Sequence, residues 1–150
     1  MAKIHILGIG NILMGDEGAG VFTVRYLQEQ YVFPDVEIMD GGTGGFHLLS
    51  FMQDTEHLIL VDAAVDGKPP GTITELHPRY SSEYPPTIVA HDIGLKDLLD
   101  AMYVMEKQPE LTLFTLSINQ PAGINTEPGK EIMQAIPKLA QEIANKVKSL

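Results

Sequence analysis

No cysteine occurs among the 150 residues of the chain. Disulfides, thiolate-bound metals and cysteine nucleophiles are therefore excluded. Positive charge is scarce: ten Lys and Arg stand against twenty Asp and Glu, a formal net charge of −10. Nucleic-acid binding rests on Lys and Arg contacts to phosphate, so no nucleic-acid partner is expected. A basic partner, or simple solubility, suits such a surface. No apolar run approaches the ~18 residues of a membrane span, and Met1-Ala2-Lys3-Ile4-His5 does not open a signal peptide. The expectation is a cytoplasmic protein with no membrane partner. Ser50, Ser81, Ser82 and Ser117 lack a G-x-S-x-G context, which argues against a serine hydrolase. The length fits one domain, residues 1–150, and such a chain buries roughly 68–70% of its unfolded surface without staples.

Glycine, in contrast, is concentrated near the start, in Gly8-Ile9-Gly10-Asn11-Ile12-Leu13-Met14-Gly15-Asp16-Glu17-Gly18-Ala19-Gly20. The stretch lies between the apolar run Ile4–Leu7 and an amphipathic segment, which predicts strand, turn and helix. Phosphate-binding turns offer bare backbone N–H groups to an anion. This one carries Asp16 and Glu17, which repel phosphate and attract a cation. Gly8-x-Gly10 resembles the start of a dinucleotide fingerprint, but Leu13 stands at the third glycine position. Asp40 falls about 20–30 residues downstream, where that motif requires an acid for the ribose.

Strand and helix signals alternate along the rest of the chain. A helix is expected over Glu17–Tyr31, with Val21, Val24, Leu27 and Tyr31 on one stripe. Strands are expected at Val36–Met39, His57–Asp62, Thr72–Leu76 and Leu111–Ile118, and helices at Phe46–Met52, His91–Met105 and Glu127–Leu150. Pro137 should kink the last helix or split off its first turns. Pro78 through Pro86 reads as an irregular loop. His57-Leu58-Ile59-Leu60-Val61-Asp62 is apolar almost throughout, as in a parallel sheet buried on both faces. The pattern predicts an α/β fold: a single three-layer domain with a twisted, mostly parallel sheet covered by helices on both faces.

Such sheets bind ligands beyond the carboxyl ends of their strands. Glu17 follows the first strand, Asp62 closes the most apolar one, and His91 opens a helix. One imidazole and two carboxylates suit a hard-to-borderline metal with an open coordination position. Other readings stand beside this one. Asp16 or Glu17 would also favour the positive end of a helix, worth about 0.3–1 kcal/mol. Asp62 could cap the following segment, although an unpaired acid ending so apolar a strand is costly. His91-Asp92 could be a helix-start pair. His5, His47, His57 and His77 are expected to be structural or surface residues.

The whole pattern resembles the nickel–iron hydrogenase maturation endopeptidases. The stretch from Gly8 to Gly20 resembles their N-terminal signature, and Asp40-Gly41-Gly42-Thr43-Gly44-Gly45 their second glycine-rich loop. Val61-Asp62-Ala63 with Pro70-Gly71 resembles the third block, and His91-x-x-Gly94-Leu95-x-x-Leu98-Leu99 the fourth, in the family's order. Val89, two residues before His91, departs from the small hydroxyl residue expected there. The resemblance implies a sheet of about five strands. It implies an endopeptidase that removes the C-terminal extension of a hydrogenase large-subunit precursor once the nickel–iron centre is in place. Glu17, Asp62 and His91 would then be metal ligands for nickel supplied by the substrate, with zinc or cadmium able to occupy the same site. Asp16 or Asp40 could act as general base, or Asp40 could orient its glycine loop. Two alternatives remain: a non-enzymatic, nickel-dependent chaperone that checks metal loading, and a nucleotide-binding flavodoxin-like domain.

Overall fold

A computed structural model describes residues 3–43, 45–79, 83, 95–104, 108–120 and 123–150. Strand β1 (Ile4–Gly8) leads through a 3-10 turn (Gly15–Gly18) into helix α1 (Ala19–Gln30). Strand β2 (Val36–Asp40) follows, then a short 3-10 turn (Phe46–Leu48) and helix α2 (Leu49–Gln53). Strands β3 (His57–Ala64) and β4 (Ile73–Leu76), helix α3 (Leu95–Tyr103), strand β5 (Glu110–Ser117) and helix α4 (Lys130–Ser149) complete the chain. The sheet order is β2-β1-β3-β5-β4. All neighbours are parallel except β4, which runs antiparallel to β5 at the edge.

Alternation along the strands divides the core in two. Ile6, Ile59, Val61 and Phe114 face α1 and α4, where they meet Val24, Leu27, Ile136 and Leu139. Leu7, Leu58, Leu60 and Leu113 face α2 and α3, where they meet Leu48, Met52, Leu98 and Met102. Burial on both faces explains the unbroken apolar run in β3. Each such side chain contributes roughly 1.5–3 kcal/mol when removed from water.

The structure corrects three sequence-based boundaries. Residues 15–18 form a 3-10 turn, and α1 begins only at Ala19. Gly15 and Gly18 disfavour a regular α-turn there. Strand β3 does not end at Asp62 but runs on to Ala64, because pairing with β5 continues through Ala64 and Ser117. Helix α4 starts at Lys130 and crosses Pro137 without being split. Pro137 is on the exposed side, while Ile132, Ile136, Leu139 and Ile143 form a buried stripe that spans it. Of the helix expected over His91–Met105, the described part is Leu95–Tyr103, and residues 91–94 and 105 lie outside the described residues.

Candidate functional site

The parallel register brings several strand ends to one edge. Gly8 stands beside Asp40 of β2 and Val61 of β3, so Asp62 is one residue beyond that level. Past the strand end, the Ile9 N–H still donates to the Val61 carbonyl at 2.9 Å. The turns after β1 and β2 are tied to each other. Gly10 N–H donates to the Gly42 carbonyl at 2.7 Å, and Gly41 N–H to the Gly8 carbonyl at 2.8 Å. Gly15, with φ of +58°, then turns the chain into the 3-10 segment that carries Asp16 and Glu17. A side chain would be strained in that left-handed conformation.

The turn is also held from a segment more than a hundred residues away. Gly15 N–H donates to the Asn125 carbonyl at 2.6 Å, and Asn125 N–H to the Leu13 carbonyl at 2.8 Å. Met14 and Asn125 thus form a parallel bridge between the opening turn and the loop before α4. Sequence reasoning left that loop unread. Its signal was positional: a Gly- and amide-containing segment directly after β5 belongs at the ligand-binding edge.

The expected site residues differ in setting. Asp62 is completely buried, and Glu17 is only 9% exposed. Carboxylates withdrawn from water need a partner or a metal. One Asp62 oxygen accepts the Ala63 N–H at 2.8 Å. Asp62 continues the strand face of Leu58 and Leu60, the side on which α3 packs. Asp16 is half-buried, and its Oδ1 accepts the Gly129 N–H at 2.6 Å, at the start of α4. Its charge there is also favoured by the helix dipole.

Asp40 points to the opposite face from Asp62. Its Oδ2 accepts from Arg25 Nε at 2.9 Å and pairs with the second guanidinium nitrogen at 2.8 Å. Its Oδ1 accepts the Gly42 N–H at 3.0 Å, which closes a tight turn at the start of the glycine loop. Both oxygens are therefore engaged. His91 lies outside the described residues. Among the described residues, no group of three or more His, Asp or Glu side chains converges on a metal position. The described donors are two carboxylates, Glu17 and Asp62, whose hard oxygens fit a divalent ion.

Three of the other histidines, His5, His57 and His77, have structural partners, and His47 is exposed. His5 is buried, its Nδ1 lies 2.7 Å from the Phe51 carbonyl, and its ring stacks on Phe51. His57 and His77 lie 3.2 Å and 2.7 Å from Glu110 and Glu75. His57 lines a pocket of about 360 Å³ at the opposite end of β3 from Asp62. A further pocket, of about 350 Å³, opens directly beside the Glu17-bearing turn, between Met14-Gly15-Asp16 and the loop before α4.

Comparison with known proteins places the chain in a family. The family profile of hydrogenase maturation proteases matches residues 21–146. This chain belongs to the hydrogenase maturation protease family. The Hydrogenase 2 maturation protease of Escherichia coli is 43% identical over 115 residues, covering 74% of this chain and 70% of that protein. The structure of the hydrogenase-maturating endopeptidase HybD from Escherichia coli superposes with a TM-score of 0.85 at 33% identity, covering 98% and 93% of the two chains. The [NiFe] hydrogenase maturation protease HycI from Thermococcus kodakarensis gives a TM-score of 0.79 at 25% identity, over 98% and 93%. As a member of this family the chain is a protease, and its five-stranded α/β fold is the family's fold. The profile match begins at residue 21, so the turn that carries Glu17 lies just ahead of it.

Proposed function

We propose that this protease removes the C-terminal extension of a nickel–iron hydrogenase large-subunit precursor after metal insertion, and that it acts in the cytoplasm. Glu17, Asp62 and His91 would complete the coordination of nickel already held by the substrate, so that only loaded precursors are cut. Zinc or cadmium could take the same donors in the absence of substrate. The observation that supports this reading is the burial of two carboxylates, one in the turn after β1 and one on β3 beside it, toward the same edge of the sheet. Glu17 is delivered by the turn after β1, and Asp62 by β3 beside it. The bound metal would polarise the scissile carbonyl or activate water. This chain's residues would orient that metal against the peptide and exclude bulk solvent. Asp40, held by Arg25 and Gly42, shapes the glycine loop in this scheme and is not the general base.

The test is cleavage of a purified nickel-loaded precursor, followed by mass spectrometry. Wild type should remove a C-terminal peptide, and Glu17→Ala or Asp62→Asn should leave the precursor intact while keeping the far-UV spectrum of the fold. Full processing by Glu17→Ala would sink the ligand assignment. A stable complex without mass loss would favour a loading check without cleavage.

A further inference from the structure

The cavity of about 360 Å³ at the far end of β3 has no part in the cleavage scheme. It opens where the sheet loses a strand. The last rung of the β4–β5 ladder pairs Leu76 with Leu113. Within β5, the Glu110 N–H donates to Glu56, on the β3 side, and the Ser117 N–H donates to Thr72, on the β4 side. Alternation therefore aims the Leu111 N–H at the β4 side as well. Two residues further along, that register would set Leu111 opposite Pro78. Proline has no N–H to give, and the Pro78 carbonyl accepts from the Tyr103 hydroxyl at 3.4 Å. Among the described residues, the Leu111 N–H has no partner, and both Leu111 and Pro78 line the cavity.

A second donor stands beside the first. Thr112 is 7% exposed and lines the same cavity. Its hydroxyl makes no hydrogen bond to a described residue. Buried donors are almost always paired, with water or a ligand where the protein offers nothing. Charge decides which kind of ligand. Arg79 lines the cavity and has no carboxylate partner among the described residues. Lys146 lines it too, and its partner Glu75, 3.4 Å away, lies outside the lining. Glu110 is the one Asp or Glu among the described lining residues; its side chain is 80% exposed and stands 3.2 Å from His57. Pro78, Leu111, Leu150 and the Tyr103 ring supply apolar wall.

We propose that this cavity is a second binding site, for a small molecule that carries a phosphate or carboxylate on an apolar body. The oxyanion accepts from the Leu111 N–H and the Thr112 hydroxyl, and Arg79 closes on it with its planar fork of donors. Free N–H groups at the edge of a sheet make anion-binding concavities of this kind. The apolar wall takes the body of the ligand. A cavity of about 360 Å³ suits a small one, at the lower end of the roughly 300–1,000 Å³ range of ligand pockets. The proposal is independent of the processing reading, since neither Glu17 nor Asp62 lines this cavity.

The test titrates the purified protein with phenyl phosphate, benzoate and benzyl alcohol, read by calorimetry and by backbone amide signals. Wild type should bind at least one of the two anions with a shift of the Leu111 amide, and benzyl alcohol about tenfold more weakly. Arg79→Gln should weaken the anion about tenfold or more, and Thr112→Val about two- to tenfold. Arg79 is exposed and Val suits a strand, so both variants should fold. Lys148→Gln removes the same charge from an exposed side chain outside the cavity and should bind as wild type does. Tighter binding of phenyl phosphate than of benzoate makes the ligand a phosphate ester, and the reverse makes it a carboxylate; either supports the site. No binding of either anion, equal binding of benzyl alcohol, or equal losses in Arg79→Gln and Lys148→Gln would overturn the proposal.

Discussion

Gly20 and Val61 are in direct backbone contact: a Cβ on Gly20 would fall on the carbonyl oxygens of Val61 and Ile9. The first turn of α1 therefore lies against β1 and β3 with no side chain between. This contact fixes the Glu17-bearing turn relative to Asp62, the residue after Val61. Gly20→Ala should force helix and sheet apart at a cost of about 1–3 kcal/mol, the range for overpacked sites. Urea unfolding reads the loss, and precursor cleavage should fall further than the lost stability explains. A variant with wild-type stability would mean that the helix can shift freely.

Asp40 offers a test of its assignment to structure and not to proton transfer. Its pair with Arg25 is partly solvated, with side chains 30% and 45% exposed. Asp40→Asn should therefore cost only about 0.2–1 kcal/mol. Loss of a general base typically costs 10²–10⁴-fold in rate, roughly. Cleavage by Asp40→Asn at close to the wild-type rate is the expected result. A hundredfold loss of kcat with unchanged stability would return Asp40 to the chemistry.

Much of this architecture was legible because its causes are local. The run Leu58–Val61 announced a strand buried on both faces, and the stripe from Ile132 to Ile143 announced the helix α4. Asp62 drew notice because an unpaired acid ending so apolar a strand is costly, and Glu17 because a carboxylate in the glycine-rich turn repels phosphate and attracts a cation. Other features depend on pairing between distant segments. The bridge from Met14 to Asn125 joins residues with no shared local pattern. The extension of β3 to Ala64 comes from its ladder with β5, since Ala63 and Ala64 are weak strand formers. The direction of Asp40 follows from strand parity and the position of Arg25 on α1, which spacing alone does not reveal. The continuity of α4 through Pro137 comes from tertiary burial that outweighs local propensity.

Tyr103 links stability to alkaline pH. Burial raises its pKa above the ordinary value of 10.0, and the nearby charges of Glu83 and Asp100 raise it further. The folded protein thus holds the phenol proton more tightly than the unfolded chain does. The associated stability is fully present below about pH 10, the unfolded value, and is lost as pH rises through the folded pKa. Tyr103→Phe should remove this part of the alkaline decline. Urea midpoints measured from pH 8 to 11 for both proteins provide the check. Parallel pH profiles would show that Tyr103 titrates alike in both states.

Pro137 makes the last case, because its cost is separable from the site. It lacks an N–H, so the Met133 carbonyl one turn earlier has no intrahelical donor. The ring faces outward, and the helix persists through buried neighbours on either side. Pro is about 3 kcal/mol less favourable than Ala inside a helix. Stiffening of the unfolded chain returns about 0.4–1 kcal/mol of that. Pro137→Ala should therefore stabilise by roughly 1–2 kcal/mol, once some local relaxation around the ring is allowed for. For a chain of this size that is a rise in Tm of about 2–8 °C. Gly129, which receives Asp16, lies two turns away along α4. Cleavage and precursor affinity should therefore be unchanged, and calorimetry beside the cleavage assay tests both halves. A lower Tm would mean that the proline shapes α4 for its packing against α1, and the local cost would then be repaid in the core.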